Sequence, residues 1–174
     1  MRPLLKRLLP SLAPLALSAC LLPVPELENA SVEGKWTVTA KNETDQCMFD
    51  NWVPGALASF EIVIEQFGEN DREVTARLDG LLGFAFWVGV GTADLKGQIQ
   101  GDQLSLSLLG VNNEMATNGC VFKREIRVTA QVDKDRLERG QITNIPRPIA
   151  AAPECEKFLR CQASQSFDGR RLGQ

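Results

Sequence analysis

The chain has 174 residues, 44% of them hydrophobic, with nineteen Lys and Arg against twenty-two Asp and Glu and a formal net charge of −3. It contains no histidine and no tyrosine, which removes Ser-His and Cys-His catalysis and His-ligated metal sites from consideration. An acidic balance argues against a nucleic-acid partner. No catalytic residue set, metal-ligand set or cofactor motif stands out, so a protein without enzymatic activity is expected.

Arg2, Lys6 and Arg7 make the N-terminus basic, and an apolar run from Leu8 to Ala19 follows, broken by Pro10 and Pro14. It is too short for a bilayer span, which takes roughly 20 residues. A basic start, a short apolar stretch and small residues before a break read as a secretory signal. Leu17-Ser18-Ala19-Cys20 resembles the lipobox of bacterial lipoproteins. The resemblance implies cleavage before Cys20, acylation of its thiol and membrane attachment through the lipid. Leu21 and Leu22, with no Asp after the cysteine, imply the outer membrane of the cell envelope. Loss of residues 1–19 removes three basic side chains and lowers the net charge from −3 to −6. Residues 20–33, with Pro23 and Pro25, read as the lipidated cysteine and a tether, and 34–174 as one domain.

From Gly34 onward the pattern is alternation with period two, the mark of half-buried strands. Trp36, Val38 and Ala40 share one face of the first strand, and Phe60, Ile62 and Ile64 one face of the second. Val74, Ala76 and Leu78 follow, then Leu95 and Ile99, and then Leu104, Leu106 and Leu108 after a Gly101-Asp102 hairpin turn. Phe122, Ile126, Val128 and Val132 mark a sixth strand. The segment 136–145 makes a seventh, bulged near Gly140, and 157–167 an eighth. These eight antiparallel strands predict an all-β, up-and-down barrel, with a meander β-sandwich as the alternative. The links near 68–71, 101–102 and 133–135 are short, and those near 42–59, 80–90, 111–119 and 146–156 are long. Strict alternation puts every long loop at one end, the mouth, and the tether at the other, the floor.

Five cysteines are an odd number; with Cys20 lipidated, Cys47, Cys120, Cys155 and Cys161 remain for two bridges in an oxidising compartment. All four gather at the mouth. An extended 157–167 would hold Cys155 and Cys161 too far apart to bridge. Pairing of strands six and seven brings Cys120 towards 149. Cys120–Cys155 with Cys47–Cys161 is preferred, while a helical turn at 154–160 would restore Cys47–Cys120 with Cys155–Cys161.

Gly34-Lys35-Trp36 opens the first strand, and Arg170-Arg171 follow the last. This resembles the lipocalin-like (calycin) barrels, in which a floor Trp packs against an Arg from beyond the final strand. The resemblance implies structural roles for Gly34, Trp36 and Arg170, and a cavity for a small apolar or amphipathic, fatty-acid-like ligand. The second lipocalin motif, which carries a Tyr, has no counterpart here. The same floor motif occurs in small barrel inhibitors of bacterial proteases, so the alternative is a protein-interaction module with a packed interior; its protein partner is unknown.

Residues 81–91, "LLGFAFWVGVG", are the most apolar stretch of the domain. Phe84, Phe86 and Trp87 read as an aromatic lid at the mouth, partly entering strand four, over an apolar site, or as a cap on the core. Trp52, in the first long loop, reads as part of the same rim. Arg124 shares parity with Phe122, Ile126 and Val128 and points inward. A buried cation needs a partner, which would be an internal carboxylate or the anionic head of a ligand, which the Arg fork suits. Arg139 and Gln165 are further inward candidates.

Overall fold

A computed structural model of the chain describes residues 28–49 and 52–173; Cys20 and the signal segment lie outside the described residues. Alternating apolar residues produce strands β1 (Gly34–Asp45), β2 (Leu57–Phe67), β3 (Glu73–Leu78), β4 (Asp94–Gln100) and β5 (Gln103–Leu109). A two-residue strand β6 (Glu114–Met115) precedes β7 (Val121–Asp133), β8 (Arg136–Pro148) and β9 (Ala163–Arg171). The sheet order is β5-β4-β3-β2-β1-β9-β8-β7-β6, and β5 also pairs with β7. That last pairing closes an eight-stranded antiparallel barrel, with β6 as an added strand at its rim, and excludes the sandwich.

The strands tilt steeply, as closure requires. From Glu65 the paired residues run through Thr75, Lys96, Ser107, Arg127, Thr143 and Ser164. They return to β1 at Thr44, near its far end, although Glu65 sits next to the partner of Gly34. One face of each strand fills the lower barrel: Trp36, Ile64, Val74, Ile99, Leu104 and Leu137 are buried in one cluster. The expected bulge is present, with the β8–β9 register shifting between Leu137 and Gly140. Phe167 lies across Gly140, where any Cβ would come within 2.6 Å of its ring. Arg139, in the bulge at φ 52°, is exposed and does not enter the barrel.

Three features depart from the sequence expectation. The first is residues 80–90, which form the helix α1 (Gly80–Val90) instead of a loop leading into β4. Asp79 caps its first turn, accepting from Gly80 N at 2.8 Å, and Gly91 ends it at φ 87°, donating to Trp87 O. The second is residues 153–158, a 3₁₀ turn begun by Pro153, so the last strand starts at Ala163 and Leu159 is exposed. The third is the end of the supposed tether, which is part of the floor. Val32 is fully buried and its N–H donates to Gln66 Oε1 at 2.8 Å. Asn29 Oδ1 accepts from Gly101 N, and Ala30 N donates to Gly101 O. The folded domain therefore begins before Gly34.

The floor Trp is where the motif places it. Trp36 is 0% exposed, and its Nε1 donates to Val32 O at 2.9 Å. The cation over it is Arg171, with Cζ 4.8 Å from the ring centroid, and not Arg170. Side chains alternate along β9, so Arg170 points to solvent and Arg171 inward.

Candidate functional site

All long connections lie at the mouth, and two structures partly cover it. One is a disulfide-aromatic cluster over β1, β7, β8 and β9. Cys161 lies two residues before Ala163, and Cys47 two residues after Asp45, with Ala163 and Asp45 paired across the ladder. The Cys47–Cys161 bridge therefore spans neighbouring strand ends, with Cα atoms 5.0 Å apart. Cys120 joins Cys155 on the 3₁₀ turn, so the preferred pairing forms even though a helical turn is present. Asp45 holds the first loop in place, its carboxylate accepting from Cys47 N at 2.8 Å and Phe49 N at 2.6 Å. Phe158 packs on Phe122 with ring centroids 5.4 Å apart, and Phe49 closes the group.

The other cover is α1. Its eleven residues contain no polar side chain, which usually marks a helix buried on all sides. Here Gly83 is buried against Leu78 and Val90 is buried at the other end, its carbonyl accepting from Val111 N and Asn112 N, while most of the other described side chains of the helix are exposed. Phe84 and Trp87 are 62% and 55% exposed, with ring centroids 6.2 Å apart. The side chain of Phe86 lies outside the described residues. Other long connections expose further apolar side chains, among them Met48, Val111, Met115 and Ile149. Exposed apolar side chains gathered at one end of a fold, where they adjoin, mark an interaction site. Trp52 is half-buried in the first connection, and its Nε1 has no acceptor among the described residues.

Below the covers, Phe60, Ile62, Val128 and Ile142 face inward by register and pack on the core, yet stay only half-buried. An inward side chain that keeps exposure borders space that solvent enters. A polar belt crosses the same inner wall. Gln165 Nε2 donates to Asn42 Oδ1 at 2.7 Å. Asn144 is one strand further on; it pairs with Ile126 and Ala163, with Gln165 and Arg124 on its diagonals. Diagonal neighbours on one sheet face stand about 7–8 Å apart. Asn144 is 8% exposed and makes no side-chain hydrogen bond among the described residues. Its amide atoms are not among the side-chain atoms sealed from solvent without a partner, so they keep contact with water.

Arg124 ends the belt, and its fork is filled. Its Nε and Nη2 donate to the Glu114 carboxylate at 2.9 and 2.6 Å, and its guanidinium lies 5.1 Å from the Phe49 ring centroid. The internal carboxylate expected as one alternative is thus Glu114, brought across by β6, and it occupies the Arg124 fork that an anionic head group would need. The alternation gives Gln165 as an inward candidate, whereas the inward placement of Asn144, in the bulged segment 136–145, and its lack of a side-chain partner are visible only in the fold.

A separate depression of about 660 Å³ lies on the outer face of β4 and β5, lined by Arg72, Glu73, Lys96, Gln98, Ser105 and Ser107 among others. It is a mainly polar surface hollow. Among the described residues, no group of three or more Cys, Asp or Glu is placed to hold a metal ion.

The site thus belongs to a disulfide-bonded, closed β-barrel with an apolar rim. No family model, no curated protein and no solved structure matches the chain.

Proposed function

We propose that the protein is a lipoprotein of the bacterial cell envelope, anchored through Cys20, whose barrel holds a small apolar or amphipathic molecule. The observation that carries this reading is the half-buried, inward-facing set Phe60, Ile62, Val128 and Ile142 beneath a rim of exposed apolar side chains. Sites for small molecules are concave, mostly apolar, and carry few polar groups. The floor Trp36–Arg171 stack agrees with the lipocalin-like resemblance. The chain reaches the barrel at the floor, so attachment at Cys20 directs the mouth away from that membrane. Residues 20–28 span at most about 30 Å.

The test is extraction of the full-length chain, made with its own N-terminus in a bacterial host and purified under native conditions, followed by mass spectrometry. An acylated Cys20 at the mature N-terminus and a co-purifying apolar molecule are expected. Val128→Trp, which fills the upper barrel, should abolish the bound molecule without loss of folding. An unmodified Cys20 would overturn the anchor. A ligand-free protein that also binds no apolar fluorophore would overturn the cavity. The rival reading, a protein-interaction module, draws on α1, whose exposed Leu81, Phe84, Trp87 and Val88 give a contact face. It requires binding to a protein partner that survives Val128→Trp and is lost on Phe84→Ser with Trp87→Ser.

A further inference from the structure

A polar belt of Asn42, Gln165, Asn144 and Arg124 crosses the inner wall among the apolar positions. Asn144 is buried, inward-facing and without a side-chain partner among the described residues. A carboxamide offers two donor hydrogens and an acceptor oxygen, and buried polar groups are normally satisfied by protein, water or ligand. To one side, Gln165 and Asn42 bond to each other and keep further donor and acceptor capacity. To the other side, Arg124 is neutralised by Glu114 through two hydrogen bonds. An incoming carboxylate would meet a pair with no net charge and would leave its own charge uncompensated in a partly desolvated wall. An uncharged group that both donates and accepts meets matching chemistry at Asn144.

We infer that the barrel selects ligands with an uncharged, hydrogen-bonding head, such as a primary amide or alcohol on an apolar chain, and that Asn144 is the residue that reads it. The inference rests on the proposed cavity and sharpens it. It replaces the anionic head expected from Arg124 with a neutral one.

The experiment uses the purified full-length chain at pH 7.5, an apolar naphthylamine fluorophore as reporter, and oleamide, oleyl alcohol and oleate as competitors. Oleamide and oleyl alcohol should displace the reporter at concentrations at least tenfold lower than oleate. In Asn144→Leu that preference should collapse to within about twofold, with reporter binding and thermal midpoint retained. Glu114→Gln, which frees Arg124, should shift the preference towards oleate at least tenfold. If Asn144→Leu fails to fold, Asn144→Asp serves instead, and should weaken oleate further while weakening oleamide less. Reporter binding with oleate equal to or better than oleamide in the unaltered protein would overturn the head-group inference and leave the cavity standing. Failure of the reporter and all three competitors to bind would overturn the cavity, and this inference with it.

Discussion

Arg171 closes the barrel floor with three kinds of contact. Its guanidinium covers the buried Trp36 ring, donates through Nη2 to the Ser31 carbonyl, and places Nε 3.5 Å from the Asp135 carboxylate. Cation–π stacking contributes about 2 kcal/mol when desolvated, and Ser31 belongs to the segment that pins Val32 into the core. Arg171→Ala should therefore lower stability by roughly 2 kcal/mol, by loss of the stack and loosening of residues 29–33. Arg170→Ala, at an exposed position on the other face of the same strand, should change stability by less than about 0.5 kcal/mol. Urea denaturation of both variants with the disulfides intact checks the contrast. Equal losses would mean that the stack does not hold the floor. The sequence offers two adjacent arginines and does not say where β9 ends, so the motif alone points to the wrong one. Strand parity, fixed by the Trp36–Arg171 pairing, decides between them.

At the scale of elements, legibility follows periodicity. Most of the eight barrel strands were readable from a period-two apolar face, the seventh being irregular at its bulge and the eighth starting at Ala163, later than the alternation suggests; their order was readable because short and long links alternate. The preferred disulfide pairing forms, but not because an extended 157–167 holds Cys155 and Cys161 apart, since residues 153–158 are a 3₁₀ turn; what puts Cys47 and Cys161 together is the pairing of Asp45 with Ala163. Helix α1 was not, because an unbroken apolar run has neither period; its Asp79 and Gly91 caps were the only local signals. The docked residues 29–33 were hidden because their partners, Gln66 and Gly101, are remote in sequence. Of the candidate site, Arg124 and Gln165 were readable as inward, but Arg139 was displaced by the bulge, Asn144 was not readable, and the Glu114 partner of Arg124 was hidden because β6 is only two residues long. The bridges give a prediction at this scale. Cys120–Cys155 closes a 35-residue separation inside the longer span of Cys47–Cys161. In the chain-entropy description that smaller loop is worth about 4 kcal/mol, a large fraction of a typical domain's 5–15 kcal/mol. The Cys120→Ser/Cys155→Ser double variant should fold, with its unfolding free energy reduced by roughly 3–4 kcal/mol and the apolar rim less ordered around 111–120 and 149–160. Guanidinium titration and amide exchange check both parts. A loss below about 1 kcal/mol would mean that the Phe49, Phe122 and Phe158 packing alone holds the cluster.

The whole molecule has no histidine, so it lacks the side chain that ordinarily titrates near neutrality. Its stability should therefore depend little on pH between about 5.5 and 8. Below that range four carboxylates among the described residues, each held below its ordinary value, respond in one direction. Glu125 is held below its ordinary value by Arg147, with Arg127 assisting. Glu43 is lowered by the Ser166 hydroxyl and Lys41, Asp79 by Lys35 and the Gly80 amide, and Asp102 by the Gln131 and Gln103 amides. A carboxylate depressed in the folded state stays ionised there at pH values where the unfolded chain has begun to take up protons. Its stabilisation is therefore complete above the unfolded values, about 3.9 for Asp and 4.3 for Glu, and disappears as pH falls through the lower folded values. The other three are more open to solvent, with the side chains of Glu43 and Asp79 41% and 45% exposed, and are screened by it, so Glu125, with its side chain only 16% exposed, should dominate. At high pH the sign reverses for Lys35, raised by Glu61 and then Asp79. Its contribution is intact below its ordinary value and fades as pH climbs through the higher folded one. The expected curve is flat through neutrality and falls below about pH 4, and Glu125→Gln should lower the plateau by roughly 1 kcal/mol while flattening the acid limb. Chemical denaturation at half-unit steps from pH 3 to 8 measures this directly. An acid limb of unchanged steepness in Glu125→Gln would show that the exposed carboxylates together carry the acid sensitivity.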